Sequence, residues 1–234
     1  MPKTALITGA SKGLGKTLAR FLAQQNYDLI LTSRGRHSLQ TTADELKSTA
    51  EIIAIPGNVA DADHRRRLVE AARQLGGLNL LINNASTLGP TPMPALAEFP
   101  LEAFRYLFDV NFLAPLALVQ EALPLLKASQ GLVVNLSSDA AVGGYPGWGG
   151  YGASKAALDL LSLTLANELK DANVGVVSVD PGDLRTDMHQ AAFPGEDISD
   201  RPLPETSVPG FVTLLQGQEP SGRYVVREIE RLRD

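Results

Sequence analysis

The stretch Ala5-Leu6-Ile7-Thr8-Gly9-Ala10-Ser11-Lys12-Gly13-Leu14-Gly15 begins with three apolar residues, runs into a cluster of glycines, and passes into an amphipathic pattern over 14–26. A short apolar run bounded by glycine reads as a buried strand, and the helical periodicity after it reads as a helix. Glycines let the turn tighten and let backbone approach a ligand closely. The helix start offers unpaired N–H groups and the positive end of its dipole, which suits a pyrophosphate. Strand, glycine turn and helix in this order form the dinucleotide site of an open α/β sheet, so Gly9, Ser11, Lys12, Gly13, Leu14 and Gly15 are the first cofactor-binding candidates. The spacing is Gly-x-x-x-Gly-x-Gly rather than Gly-x-Gly-x-x-Gly. Gly9 to Gly13 also fits Gly-x-Ser-x-Gly, the strand-to-helix elbow of hydrolases, and Ser11, Asp183 and His189 stand in a workable order for a triad. That elbow normally follows several strands, however, and it leaves Tyr151 and Lys155 without a role.

Outward from the turn, short apolar runs alternate with longer amphipathic stretches. Runs at 29–31, 52–55, 78–82, 132–134 and 174–179 are separated by helical patterns at about 41–49, 61–75, 101–128 and 151–171. Strands buried on both faces read as continuous apolar runs, and their alternation with helices implies right-handed crossovers and a parallel sheet. The expectation is an α/β fold: one doubly wound domain over 1–234 with six or seven parallel strands. Residues 187–210, with four prolines and two glycines, read as one long loop.

A chain of 234 residues buries roughly 70–75% of its unfolded surface and needs no staples. It has no cysteine, which excludes disulfides, thiolate catalysis and cysteine-ligated metals. His37, His64 and His189 are scattered without metal-ligand spacing, so no metal is expected. The net charge of −5 gives no reason to expect nucleic acid or an anionic membrane as partner. Arg65-Arg66-Arg67, the one basic run, reads as a solvated helix face. No apolar run approaches the 18 or so residues of a membrane span, and the expected setting is the cytoplasm.

The second strand ends at Leu31-Thr32-Ser33-Arg34. An NAD site places an acidic residue there to bind the adenosine ribose. Here Ser33 holds that place and Arg34 follows. A carboxylate would repel a 2′-phosphate, whereas a guanidinium binds one with two parallel hydrogen bonds. With Lys12 in the glycine turn adding charge, the expected cofactor is NADP(H).

Tyr151-Gly152-Ala153-Ser154-Lys155 lies at a predicted helix start, with Tyr151 and Lys155 on one face. A nearby ammonium favours phenolate and is expected to lower the Tyr151 pKa. A phenol so tuned gives a proton to a carbonyl oxygen as hydride arrives, or takes one from an alcohol. Ser138 falls thirteen residues before Tyr151 at the C-terminal edge of a strand, where its hydroxyl reaches a reacting oxygen. Asn111, in the long fourth helical pattern, is placed to hold a water that relays protons from Lys155.

Together these motifs resemble the short-chain dehydrogenase/reductase family over residues 4 to about 188. The likeness rests on the turn from Thr8 to Gly15, Asn83-Asn84-Ala85, Asn111, Ser138, Tyr151, Lys155, and Pro181-Gly182 followed by Thr186. It implies a Rossmann fold and an NADP(H)-dependent carbonyl reductase acting on a small-molecule carbonyl or alcohol. It implies Tyr151 as general acid/base, with Lys155 lowering its pKa and binding the nicotinamide ribose. Ser138 would orient the substrate oxygen, Asn111 would support the water relay, and Thr186 would contact the carboxamide. Asn84 and Ala85 would pass beside the adenosine ribose, and Asn58 would face the adenine where the family often has Asp. Val59, Pro181 and Gly182 complete the implied cofactor contacts. Ser86 stands where Gly is frequent. The last 25 residues lack the frequent Val-Asp-Gly-Gly ending, which points to a monomer or homodimer rather than a tetramer. Tyr145, Trp148, His189 and Phe193 are candidates for the substrate mouth, with 187–210 as a lid. The contrasting reading is a non-catalytic NADP(H)-binding redox sensor or scaffold, which would not need a complete proton path.

Overall fold

Each apolar run becomes a strand of one sheet. The computed structural model describes residues 2–47, 49–215 and 221–229. The strands are β1 (Lys3–Thr8), β2 (Tyr27–Thr32), β3 (Ile52–Ala54), β4 (Leu80–Asn83), β5 (Leu132–Leu136), β6 (Gly175–Asp180) and β7 (Gly222–Val225). They pair in the order β3-β2-β1-β4-β5-β6-β7, parallel throughout.

The alternation of side chains along a strand divides the core into two layers. Ala5, Ile7, Leu29, Leu31, Ile82 and Val134 face α1 (Gly13–Gln24) and α2 (Arg36–Leu46), together with Phe211 and Leu214 of α8 (Val208–Leu215). Leu6, Ile30, Leu81, Val133 and Val176 face α3 (Ala62–Gln74) and α5 (Ala114–Ser129) through Leu68, Ala72, Leu118, Ala122 and Leu126. Both faces are covered, so the strands carry no polar alternation, and this made them visible as runs. The order of pairing reverses between β1 and β4, which opens a crevice at the C-terminal ends of the strands.

The long fourth pattern is one continuous helix, Leu101–Ser129. It comprises α4 (Leu101–Phe108), a π-helical turn at Asp109–Leu113, and α5. By length and hydropathy it would pass for a membrane span, but the inner face of α5 is part of the core. α6 (Gly149–Glu168) begins two residues before Tyr151.

Two expectations are corrected. The helix anticipated at 41–49 lies earlier, because Leu39, Thr42, Ala43 and Leu46 form its buried face. Residues 187–210 are not one loop. Thr186 Oγ1 accepts from His189 N–H at 3.2 Å and caps α7 (Asp187–Ala192), and α8 begins at Val208 after a 3₁₀ turn. α9 (Val226–Ile229) follows β7. Residues 1, 48, 216–220 and 230–234 of the anticipated domain lie outside the described residues, and so does part of the C-terminal stretch bearing on oligomeric state.

His64 of α3 is buried behind the end of β2. Its Nδ1 lies 3.3 Å from Arg67 Nη2, and guanidinium only donates, so Nδ1 accepts and Nε2–H donates to Thr32 Oγ1 at 2.7 Å. Burial lowers its pKa, reinforced by Arg67. The folded chain therefore refuses a proton that the unfolded chain accepts, and this costs stability as pH falls below about 6.5. His64→Gln is expected to be less stable than wild type at pH 8, with the gap narrowing towards pH 5. Melting midpoints across that range check it, and a gap independent of pH would contradict a neutral His64.

Candidate functional site

The β1–α1 turn is stapled across the crevice to the segment after β4. Thr8 Oγ1 accepts from the N–H groups of Asn84 and Ala85 at 3.0 and 2.9 Å. Asn84 Nδ2 donates to the carbonyls of Thr8 and Gly9 at 2.9 and 3.1 Å. The space between is too tight for side chains. At Gly9, whose φ is +69°, a Cβ would come within 2.7 Å of Asn84 Nδ2, and at Gly15 within 2.3 Å of the Gly9 carbonyl. No side chain caps the start of α1 and no acidic residue sits in its first turn. Its N-terminal N–H groups and positive dipole end are thus uncompensated, as a pyrophosphate site requires.

A cavity of about 1120 Å³ runs from this turn in both directions along the strand ends. Single-ligand sites span roughly 300–1,000 Å³, so it has room for a dinucleotide with a second small molecule. Every cofactor residue expected from the sequence lines it except Gly15, which instead lets α1 pack against the turn. At one end lie exposed Arg34, Ser33 and Asn58, whose Oδ1 accepts from Ala60 N–H. Lys12 Nζ lies 2.7 Å from Asp187 Oδ2 on α7, so its charge is shared across the cavity.

At the other end Tyr151, Lys155 and Ser138 converge. Lys155, 2% exposed, places Nζ 5.5 Å from the Tyr151 ring centroid and donates to the Leu136 carbonyl at 2.7 Å. Burial pushes its pKa down to about 8, against the pull of Asp159. The anticipated lowering of Tyr151 is reversed. Burial raises the phenol above its ordinary value, hydrogen bonds with Ser86 and Ser138 moderate the rise, and Asp180 and Asp139 add to it. Desolvation disfavours both charged forms more than the ammonium favours phenolate. Ser138 Oγ donates to Asp139 Oδ1 at 3.0 Å and accepts from Ala140 N–H at 3.1 Å.

Asn111 does not line the cavity. Its amide is committed to its neighbours, with Oδ1 accepting from Thr87 N–H and Ser86 Oγ, and Nδ2 donating to the Thr87 carbonyl and Ser154 Oγ. Asn111 lies in the π-helical turn, and Pro115, which has no N–H, follows four residues later at the start of α5. π-helical turns often mark functional positions.

Three contributors escaped the sequence analysis. Ser86, noted only as a departure, gives a hydrogen bond to Asn111 Oδ1 at 3.1 Å and is hydrogen-bonded with the Tyr151 phenol. Arg223 of β7 reaches under the site, with Nε 2.9 Å from Asp159 Oδ2 and Nη2 3.1 Å from the Ser138 carbonyl and 3.4 Å from Asp180 Oδ2. A lone arginine in a four-residue strand carries no local signal. Asp187, the partner of Lys12, was hidden in the presumed loop.

The mouth is aromatic. The Trp148 ring meets Tyr151 edge-on at 5.8 Å and Phe193 at 5.9 Å, and His189 lies 5.0 Å from Phe193. His189 Nδ1 is 4.0 Å from Asp183 Oδ1. Among the described residues no hydrogen bond joins Ser11 to His189, so the hydrolase alternative lacks its nucleophile–base contact.

The sequence profile described as short chain dehydrogenase matches residues 3–197. A 3-oxoacyl-[acyl-carrier-protein] reductase from Staphylococcus aureus is 33% identical over 195 residues, covering 82% of this chain and 78% of its own length. A benzil reductase ((S)-benzoin forming) from Saccharomyces cerevisiae is 34% identical over 200 residues, covering 81% and 74%. The solved structure of a short-chain dehydrogenase from Shigella flexneri complexed with NADP matches with a TM-score of 0.89 at 25% identity, over 96% of this chain and 97% of that one.

Lys155 is a cation held in a dry place for a reason other than stability. Its folded pKa lies near 8 against an ordinary 10.5, so the cost is fully present below pH 8 and is relieved as pH climbs to 10.5. Lys155→Met is expected to raise folding stability at neutral pH by about 1–3 kcal/mol. The gain should shrink over that same window. Denaturant titrations at several pH values measure it, and a destabilised variant would contradict the cost assigned to the buried ammonium.

Proposed function

This chain belongs to the short-chain dehydrogenase/reductase family of oxidoreductases, and on that premise we propose that it is an NADP(H)-dependent enzyme reducing a carbonyl, or oxidising the matching alcohol, with Tyr151 as general acid/base. One observation carries this: Tyr151, Ser138 and Lys155 converge at one end of a single cavity whose other end presents Arg34 and Ser33 in place of a carboxylate. A bound nicotinamide supplies or takes up the hydride. The S. aureus and yeast relatives are named for carbonyl reductions, and the Shigella structure holds NADP, in line with this reading.

The chain's own groups divide the remaining work. Tyr151 and Ser138 turn their hydroxyls from Ser86 and Asp139 towards the substrate oxygen. Tyr151 carries its proton at neutral pH, as any phenol does, and burial strengthens that hold until a substrate oxygen and the Lys155 ammonium stand beside it. Lys155, anchored on the Leu136 carbonyl, holds positive charge beside the phenolate that remains and binds the ribose hydroxyls. Asn111, in the π-helical turn behind Lys155, supports the water relay through which Tyr151 regains a proton. Thr186 and Gly182 flank the nicotinamide, with Pro181 beside them. The working unit is a monomer or homodimer in the cytoplasm, in keeping with the acidic, cysteine-free composition. A pure cofactor sensor would have no use for the converged hydroxyls.

At the adenosine end, Arg34 carries the preference for NADP(H), since Lys12 already shares its charge with Asp187. Arg34→Ala is expected to weaken NADPH binding by about 10–100-fold and NADH binding much less, with Lys12→Ala giving a smaller version of the same pattern. Isothermal titration with both cofactors decides it, and equal losses would refute the assignment. For the chemistry, Tyr151→Phe should leave NADPH affinity within a few-fold while lowering kcat by roughly 10²–10⁴ on any carbonyl turned over. Loss of NADPH absorbance across a panel of carbonyls is the assay. Binding without turnover by the wild type would favour the sensor.

A further inference from the structure

Given that reading of the site, we infer that the carbonyl substrate is an uncharged, aryl-bearing compound, and that the site turns away carbonyls carrying a carboxylate or phosphate.

The first observation is the lining. The Tyr151 ring sits in one apolar cluster with Leu88, Met93, Ala140, Trp148, Met188 and Ala192. These come from the loop after β4, the turn after β5, the start of α6 and α7, so several separate segments are apolar where they meet the reacting hydroxyl. Trp148 and Phe193 continue the cluster as a paired aromatic wall, and both line the cavity. Rings seated against rings at such distances gain edge and offset contacts that an aliphatic chain cannot make. Met188, which lines the cavity, adapts its thioether to aromatic edges of varied shape.

The second observation is charge, and it is independent of the first. Among the described residues lining the cavity, the Lys and Arg side chains are Lys12, Arg34 and Lys155. Lys12 and Arg34 belong to the cofactor end, and Lys155 is buried behind the phenol with its proton on Leu136. Around the substrate end stand Asp139, Asp180 and Asp183. Asp180 is answered from below by Arg223 at 3.4 Å, which leaves Asp139 and exposed Asp183 as the carboxylates facing the substrate end. An anionic substituent entering there meets Asp139 and Asp183, with no Lys or Arg side chain of the cavity lining free at that end to answer it. The proposed reaction balances without any charge on the substrate: the carbonyl carbon gains a hydride from the reduced nicotinamide cofactor, the oxygen gains the Tyr151 proton, and the products are the alcohol and oxidised cofactor.

The chain's single tryptophan is Trp148, so its fluorescence reports on this pocket alone. The probes are methyl 4-acetylbenzoate, a neutral aryl ketone; 4-acetylbenzoate, its anionic counterpart; and hexan-2-one, a neutral alkyl ketone. With NADP⁺ bound, the neutral ester is expected to quench Trp148 at concentrations at least about tenfold below the other two. With NADPH, its kcat/KM should lead by a similar factor. Asp183→Asn, a change at an exposed side chain, should narrow the gap between ester and acid. Trp148→Leu should narrow the gap between ester and hexan-2-one. Equal or tighter binding of the acid, or of hexan-2-one, overturns the inference. If the ester quenches selectively yet no ketone consumes NADPH, the substrate preference stands as a binding preference and the reductase reading falls instead.

Discussion

Two ionisable groups, Tyr151 and Lys155, are held out of water one helical turn apart, and much of the surrounding structure exists to make that arrangement tolerable. Neither group is comfortable. Burial pushes the phenol up and the ammonium down, so each leans towards its neutral form. What offsets the cost is a set of partners supplied from elsewhere: the Leu136 carbonyl at the end of β5 for Lys155, and the Ser86 and Ser138 hydroxyls for Tyr151. Those partners stand on loops leaving adjacent strands, and only a parallel sheet brings the C-terminal ends of β4 and β5 together beside the start of α6.

The same reversal of strand order that opens the crevice also explains the polar staples beneath it. Thr8 and Asn84 tie the first and fourth strands where no helix crosses between them, and the glycines at 9 and 15 keep that seam free of side chains. Deeper in the sheet, Asn83 donates to Asn135 at 2.8 Å and Asn135 donates to Ser162 at 2.8 Å, so the polar seam continues from β4 through β5 into α6. Helix position and strand register are thereby locked together below the reacting groups. Buried amide chains of this kind favour one arrangement over near neighbours of similar packing.

Features written in consecutive residues were legible before any coordinates. The strands announced themselves because both faces of the sheet are covered, and the glycine turn because tight backbone needs glycine. The convergence of Ser138 with Tyr151 and Lys155 followed from helix geometry and the position of strand ends. What escaped depends on distance in space. Thr186 makes a helix of six residues from a proline-rich segment by a single cap. Arg223 meets three partners 43, 64 and 85 positions away in sequence. The direction in which Tyr151 titrates was misjudged because a pair in sequence reveals its mutual attraction but not the depth at which it is buried.

The role of Arg223 gives the last strand a meaning beyond closing the sheet. Among the described residues the cavity's lining lies at position 193 or before, ahead of β7 in the chain. β7 then delivers a guanidinium that ties the ends of β5 and β6 to α6 by way of Asp180, the Ser138 carbonyl and Asp159. The pocket and its reacting groups thus come from one part of the chain, and a brace beneath them from another. A change at Arg223 would therefore loosen the ends of β5 and β6 without removing any side chain that lines the pocket.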